Sequence, residues 1–146
     1  IVLHCDFVIA SEAARFADTH ARVGVLPGWG LSYLLPQAVG VRRAREMSLT
    51  GRLIDAHEAL AWGLVNQVVP DDRLLEAATA LARRVAANPP HAIRMGKRLL
   101  RESGHQTLAG HLEMSAAMQA LAHHAPDHAE AISAFVDRRE PRYTGE

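Results

Sequence analysis

The chain has 146 residues, 49% hydrophobic and 22% charged, which is enough apolar material for a buried core without disulfide or metal staples. Lys plus Arg number 16 and Asp plus Glu number 16, so no overall field draws it to nucleic acid or an anionic membrane, and an anionic ligand has to be gripped locally. Cys5, the single cysteine, lies in an apolar run and is expected to be a small buried residue of a protein from a reducing, cytoplasmic compartment.

The opening "IVLHCDFVIA" has no basic lead-in and is interrupted by His4 and Asp6, so it is expected to be a core strand and not a secretory segment. Its abrupt beginning is what would be expected of a chain that starts in the middle of a fold. Asp6 to Ala10 predicts a strand buried on both faces, and Ala14 to Ala17 a shorter one after the polar turn "SEAAR". From "PGWGLSYLLPQAVG" onward apolar residues fall at helical spacing, with Gly and Pro at the breaks. Asp55 and Glu58 form a D-x-x-E pair suited to the start of a short helix, and Gly63 suits its end. "LVNQVV", Leu64 to Val69, predicts a strand closed by Pro70. Asp72 is placed to cap the next helix, in which Leu74, Leu75, Ala78, Leu81, Ala82 and Val85 share a face. Asn88-Pro89-Pro90 stops that helix and starts another, and is the nearest thing to a boundary. The remainder predicts helices over "HAIRMGKRLLRES", "TLAGHLEMSAAMQALAHH" and "DHAEAISAFVDRR". Met114, Met118 and Leu121 share a face of the second, and Ile132, Phe135 and Val136 one of the third, as in a core or a subunit interface.

Nine histidines raise the question of a metal. His124 and His128 stand four apart but are separated by Pro126, and no H-E-x-x-H or C-x-x-C pattern occurs, so none is expected. His57, His91, His105 and His111 are expected on polar helix faces. Asp18, His20 and Ser32 have the residue types of a hydrolase triad without its G-x-S-x-G elbow, and "PGWG" matches neither common phosphate-binding loop. The segment "PGWGLSYLLP" does offer glycines that permit close backbone approach, then a helix start whose N–H groups can hold a water, a carboxylate or a developing oxyanion. A turn that only redirects the chain is the alternative.

In this order, "CDFVIASEAARF", "VGVLPGWGLSYLLPQAVG", "RAREMSLTGRLIDAHEALAWGLVNQVVPDDRL" and "AISAFVDRREPRYTG" resemble the C-terminal half of the crotonase superfamily, the enoyl-CoA hydratase/isomerase family. The match spans essentially the whole chain and is densest at "LTGRLIDAHEALAWGLV". The resemblance implies an α/β fold: residues 1–88 the C-terminal part of a spiral of ββα units, and residues 89–146 a helical region that packs subunits into trimers or dimers of trimers. It also implies acyl-CoA thioester chemistry, in which N–H donors stabilise an enolate and two glutamates handle the water added to the double bond. No cofactor is implied, since coenzyme A is part of the substrate.

On the family pattern the first glutamate and the oxyanion donors lie before Ile1, so the isolated chain is expected to be inactive. The second glutamate's "Q-P-E" triplet is here Asp18-Thr19-His20, which puts His20 in the glutamate's place. The resemblance sets Gly28 to donate an N–H to the reacting water, with Trp29 and Leu31 lining the acyl channel. Asp18 stands beside His20, either tuning it or replacing the carboxylate. Phe135 and Arg138 fall where the family contacts the CoA of an adjacent subunit, although for Arg138 a helix C-terminus explains the charge equally well. The leading expectation is hydration of 2-enoyl-CoA. The alternatives are isomerisation or another enolate reaction, or an acyl-CoA-binding subunit without catalysis.

Overall fold

The computed structural model describes residues 1–145. They form two compact units, Ile1–Ala80 and a second beginning at Leu81.

The first unit holds β1 (Ile9–Ser11), β2 (Arg15–Phe16), α1 (Leu31–Val39), α2 (Val41–Thr50), β3 (Ile54–Asp55), α3 (Ala56–Trp62) and β4 (Gln67–Val69). β1 pairs in parallel with β4, Ala10 opposite Val68, and β2 pairs antiparallel with β3, Phe16 opposite Ile54. Two parts of the expected opening strand are corrected. Residues Val2–His4 form a single 3-10 turn, and the ladder starts only at Ile9, with Ala10 its one buried residue. The reason is the partner: β4 is three residues long, and Val8 is instead held by Asn66, whose side-chain Oδ1 accepts the Val8 N–H at 2.8 Å while its own N–H donates to the Val8 carbonyl at 2.7 Å. Cys5 is exposed, not buried, because it falls in the turn before the strand.

Helices α1 and α2 are separated by Gly40 alone, and both turn Leu35, Val39, Ala44 and Met47 into a core shared with Ala10, Ile54, Ala56 and Ala59. α2 ends on Gly51 at φ 62°, a left-handed cap that L side chains adopt only with strain. A Cβ there would also lie 2.8 Å from the Arg22 Cγ. Gly51→Ala is therefore expected to cost about 1 kcal/mol or more, read as a lower unfolding midpoint.

The D-x-x-E expectation is met: the Asp55 carboxylate accepts the Glu58 N–H at 2.8 Å, and Gly63 closes α3 at φ 82°. That N–H holds the Asp55 carboxyl below its ordinary range. Glu58 in turn binds the Arg52 guanidinium, which also reaches Glu46 on α2 at 2.7 Å and lies 4.9 Å from the Trp62 ring centre. Arg52 thus ties α2 to α3. The expected Asp72 cap is not formed: Asp71–Arg73 make a 3-10 turn before α4 (Leu74–Ala86), and the Asp71 carboxylate accepts the Ala13 N–H at 3.4 Å, outside the helix. On α4, Leu74 and Leu81 are half-buried while Leu75 is exposed.

The second unit contains α5 (Pro90–Glu102), α6 (Leu108–His123) and α7 (Pro126–Asp137). Pro90 and Pro126 occupy first-turn positions, where a missing N–H costs nothing, and Thr107 caps α6 by accepting the Gly110 N–H at 3.2 Å. His105 lies in the turn between α5 and α6, off any helix face, and the Nδ1 of His111 is buried without a partner among the described residues. Ile132, Phe135 and Val136 are exposed along α7.

Arg142, Thr144 and Gly145 are tethered to α7 by two carboxylates. Asp127 accepts the N–H groups of Thr144 at 2.7 Å and Gly145 at 3.0 Å, and Glu130 accepts the Arg142 N–H at 2.7 Å and a fork from Arg139. The Thr144 N–H is the main cause holding the Asp127 carboxyl low, with a smaller contribution from nearby His91, and Arg139 pulls Glu130 down to about 2. Both folded values lie below the ordinary carboxylate range near about 4. The tether is thus complete above that range and is lost as pH falls through the folded values. In an acid titration the Thr144, Gly145 and Arg142 amide resonances are expected to hold their positions above about pH 4 and move together below it. Amide positions unchanged down to about pH 2 would contradict this.

Candidate active site

Between β2 and α1 the chain makes a 3-10 turn, His20–Val23, closed by Gly24 at φ 73°. Just before it, Asp18 is 2% exposed and His20 presents a ring 36% exposed. One carboxylate oxygen, Asp18 Oδ1, meets His20 twice: it accepts the backbone N–H at 3.2 Å and lies 2.6 Å from ring Nδ1. Burial opposes ionisation of Asp18, but the Ser48 side chain on α2 and the two His20 contacts outweigh it and hold the carboxyl below its ordinary range. The other oxygen, Oδ2, is buried and has no partner with hydrogen-bond geometry among the described residues. An ionised carboxylate only accepts, so Nδ1 carries the hydrogen, and Nε2 of the neutral ring is left as an acceptor.

Asp18 and Leu31 line one cavity of about 270 Å³ within this unit, with Val2, Phe16, Leu35 and Met47. Leu31 opens α1, and its N–H closes on the Gly28 carbonyl at 3.1 Å. Gly30, at φ 76°, gives the helix no side-chain cap. Trp29 is also left-handed at φ 55°, unusual for a residue with a side chain, and its indole is 95% exposed. Gly28 has open space where a Cβ would lie, with nothing within 4 Å.

Sequence reading missed what fixes this loop. His4 Nε2 bonds to the Trp29 carbonyl at 2.9 Å across 25 residues, and nothing in the sequence marks His4 beyond an interrupted apolar run. Ser48 beside Asp18 was equally unmarked, an ordinary polar residue on a helix.

Phe135 and Arg138 lie in the second unit, the first 83% exposed on α7 and the second at its left-handed C-terminus, φ 52°. Arg139 is committed to Glu130 at 2.6 Å, whereas Arg138 forms no ion pair among the described residues. Among those residues no group of three or more His, Cys, Asp or Glu is placed to hold a metal, and no helix is long and apolar enough to cross a membrane.

A family model described as enoyl-CoA hydratase/isomerase matches residues 1–146. Among curated relatives, 1,2-epoxyphenylacetyl-CoA isomerase of Escherichia coli is 34% identical over 145 residues, covering 99% of this chain and 55% of the relative. The same organism's 2,3-dehydroadipyl-CoA hydratase is 37% identical over 145 residues, covering 99% and 57%. The crystal structure of an enoyl-CoA hydratase from Bacillus anthracis superposes with a TM-score of 0.96 at 38% identity, over 99% of this chain and 56% of that one. One from Mycobacterium tuberculosis gives 0.95 at 30%, over 99% and 57%. The chain thus spans about half the length of the relatives it matches. The chain belongs to the enoyl-CoA hydratase/isomerase family, with the α/β crotonase-like fold.

Proposed function

We propose that the protein carrying this chain is an enoyl-CoA hydratase-type enzyme of acyl-CoA metabolism that adds water to 2-enoyl-CoA thioesters. The observation that carries this reading is the half-exposed His20 ring, its Nδ1 2.6 Å from Asp18 Oδ1, at the position where the family resemblance expects a carboxylate. Nε2 takes a proton from the water as its oxygen bonds to C3, the electron pair moves onto the thioester oxygen as an enolate, and the proton returns from Nε2 to C2. Backbone N–H donors stabilise the enolate oxygen, and those donors are expected from the family pattern before Ile1. Gly28 N–H orients the water, Trp29 and Leu31 border the acyl chain, and Phe135 and Arg138 serve the CoA moiety. The chemistry uses no cofactor beyond the substrate's own coenzyme A.

The exposed apolar residues of α7 support assembly of the helical region 89–146 into a trimer or dimer of trimers. The protein is read as cytoplasmic from the lone unpaired cysteine. The test is hydration of short- and medium-chain 2-enoyl-CoA by the protein at full family length, followed through loss of the conjugated-thioester absorbance. Turnover supports the assignment, and saturable CoA-ester binding without turnover would sink it in favour of a binding role.

A further inference from the structure

An imidazole alone is an ambiguous base: either ring nitrogen can carry the hydrogen, and rotation about two side-chain bonds changes which one faces a substrate. Here the neighbouring residue removes both freedoms. Asp18 Oδ1 is shared by the backbone N–H and the Nδ1 of the same histidine, at 3.2 and 2.6 Å, which fixes the ring relative to its own main chain.

We propose that Asp18 is the positioning residue of this site, its buried carboxylate holding His20 as the Nδ1–H tautomer with Nε2 free for proton transfer. For the identity of the reaction this rests on the hydratase-type reading; for the geometry it does not. Two residues of one short segment thereby do the work of a single carboxylic acid.

The dependence runs both ways. Asp18 is buried with Oδ2 unpartnered, so its ionisation leans on the Oδ1 contacts and on Ser48. When Nε2 accepts the water proton, the imidazolium is paired with the Asp18 anion, and Nδ1–H stays in place throughout. The proton therefore moves from water to Nε2 and from Nε2 to C2, and never onto Asp18.

The test uses the protein at full family length with Asp18→Asn, His20→Asn and the double variant. Asp18→Asn keeps the shape and removes the charge, and is expected to lower kcat about 100-fold with KM changed by less than about threefold. In the double variant the two losses are expected not to multiply. Long-range 15N–1H spectra of histidine-labelled protein are expected to show Nδ1–H at His20 in the parent and a mixed tautomer in Asp18→Asn. Should Asp18→Asn not fold, Ser48→Ala, which weakens support of the carboxylate, takes its place with an expected kcat loss of about three- to tenfold.

A kcat within about threefold of the parent in Asp18→Asn, or losses that multiply in the double variant, would overturn the proposal. Absence of turnover in the parent, together with an Nδ1–H signal that depends on Asp18, sinks the hydratase reading and sustains the positioning role. Absence of turnover with a tautomer indifferent to Asp18 overturns both.

Discussion

Replacing His20 by asparagine is expected to lower kcat for 2-enoyl-CoA hydration by about 10²- to 10⁴-fold, the range for loss of a general acid–base group, while the protein stays folded. The choice of variant matters because the proposed mechanism gives His20 two jobs. The amide nitrogen of asparagine reaches the place of Nδ1, which in the parent lies 2.6 Å from Asp18 Oδ1, and can still donate to that oxygen, but nothing takes the place of Nε2. His20→Gln does the reverse, extending an amide toward Nε2 and leaving Asp18, 2% exposed, without its side-chain donor. It is expected to lose activity and also to unfold at a lower temperature, since an unpaired buried charge is costly. Thermal melts and steady-state kinetics on the two variants separate the roles. Equal melting temperatures would mean that the ring does not support Asp18, and a kcat near the parent value for His20→Asn would remove His20 from the chemistry.

The largest stability effect is expected at Ile54. It is 1% exposed, sits opposite Phe16 in the β2–β3 pair and touches a core drawn from β1, α1, α2 and α3. Truncation to alanine leaves a cavity that several rigid elements cannot jointly collapse into, and is expected to cost about 2–5 kcal/mol in unfolding free energy. Ile54→Val, which removes one methyl group, is expected to cost about 1 kcal/mol. Denaturant titration checks both, and a loss under about 1 kcal/mol for the alanine variant would mean the site relaxes, against the packing described.

The sequence made α3 legible because its signals are local: Asp55, Glu58 and Gly63 act within one helix, and each does what its residue type favours. Pro90 announces α5 for the same reason. The family's order of motifs made the fold legible. What stayed hidden depended on distant partners. The ladder begins at Ile9 and not at Asp6 because Asn66, far along the chain, takes both backbone groups of Val8. Asp72 has good capping chemistry, yet a 3-10 turn precedes the helix, and the neighbouring Asp71 carboxylate turns to the distant Ala13 N–H. Asp18 looks in sequence like any polar turn residue, and its burial follows from the packing of α1 and α2, so the strength of its hold on His20 could not be read from spacing. Phe135 and Arg138 were placed by family pattern alone, and their position on α7 adds exposure, not a ligand.

The parallel pairing of β1 with β4 has a kinetic consequence. Val8 and Asn66 meet across 58 residues, and between them α1, α2 and α3 form from near neighbours, while β2 and β3 pair only after α1 and α2 have been spanned. Closing so wide a span before the intervening segments compact would forfeit chain entropy with few contacts in return. During folding, α1, α2 and α3 are accordingly the early structure and the β1–β4 seam a late one. The seam acts as a latch: its side-chain clasp at Asn66 bears chiefly on how long the native state persists and little on how fast it is reached.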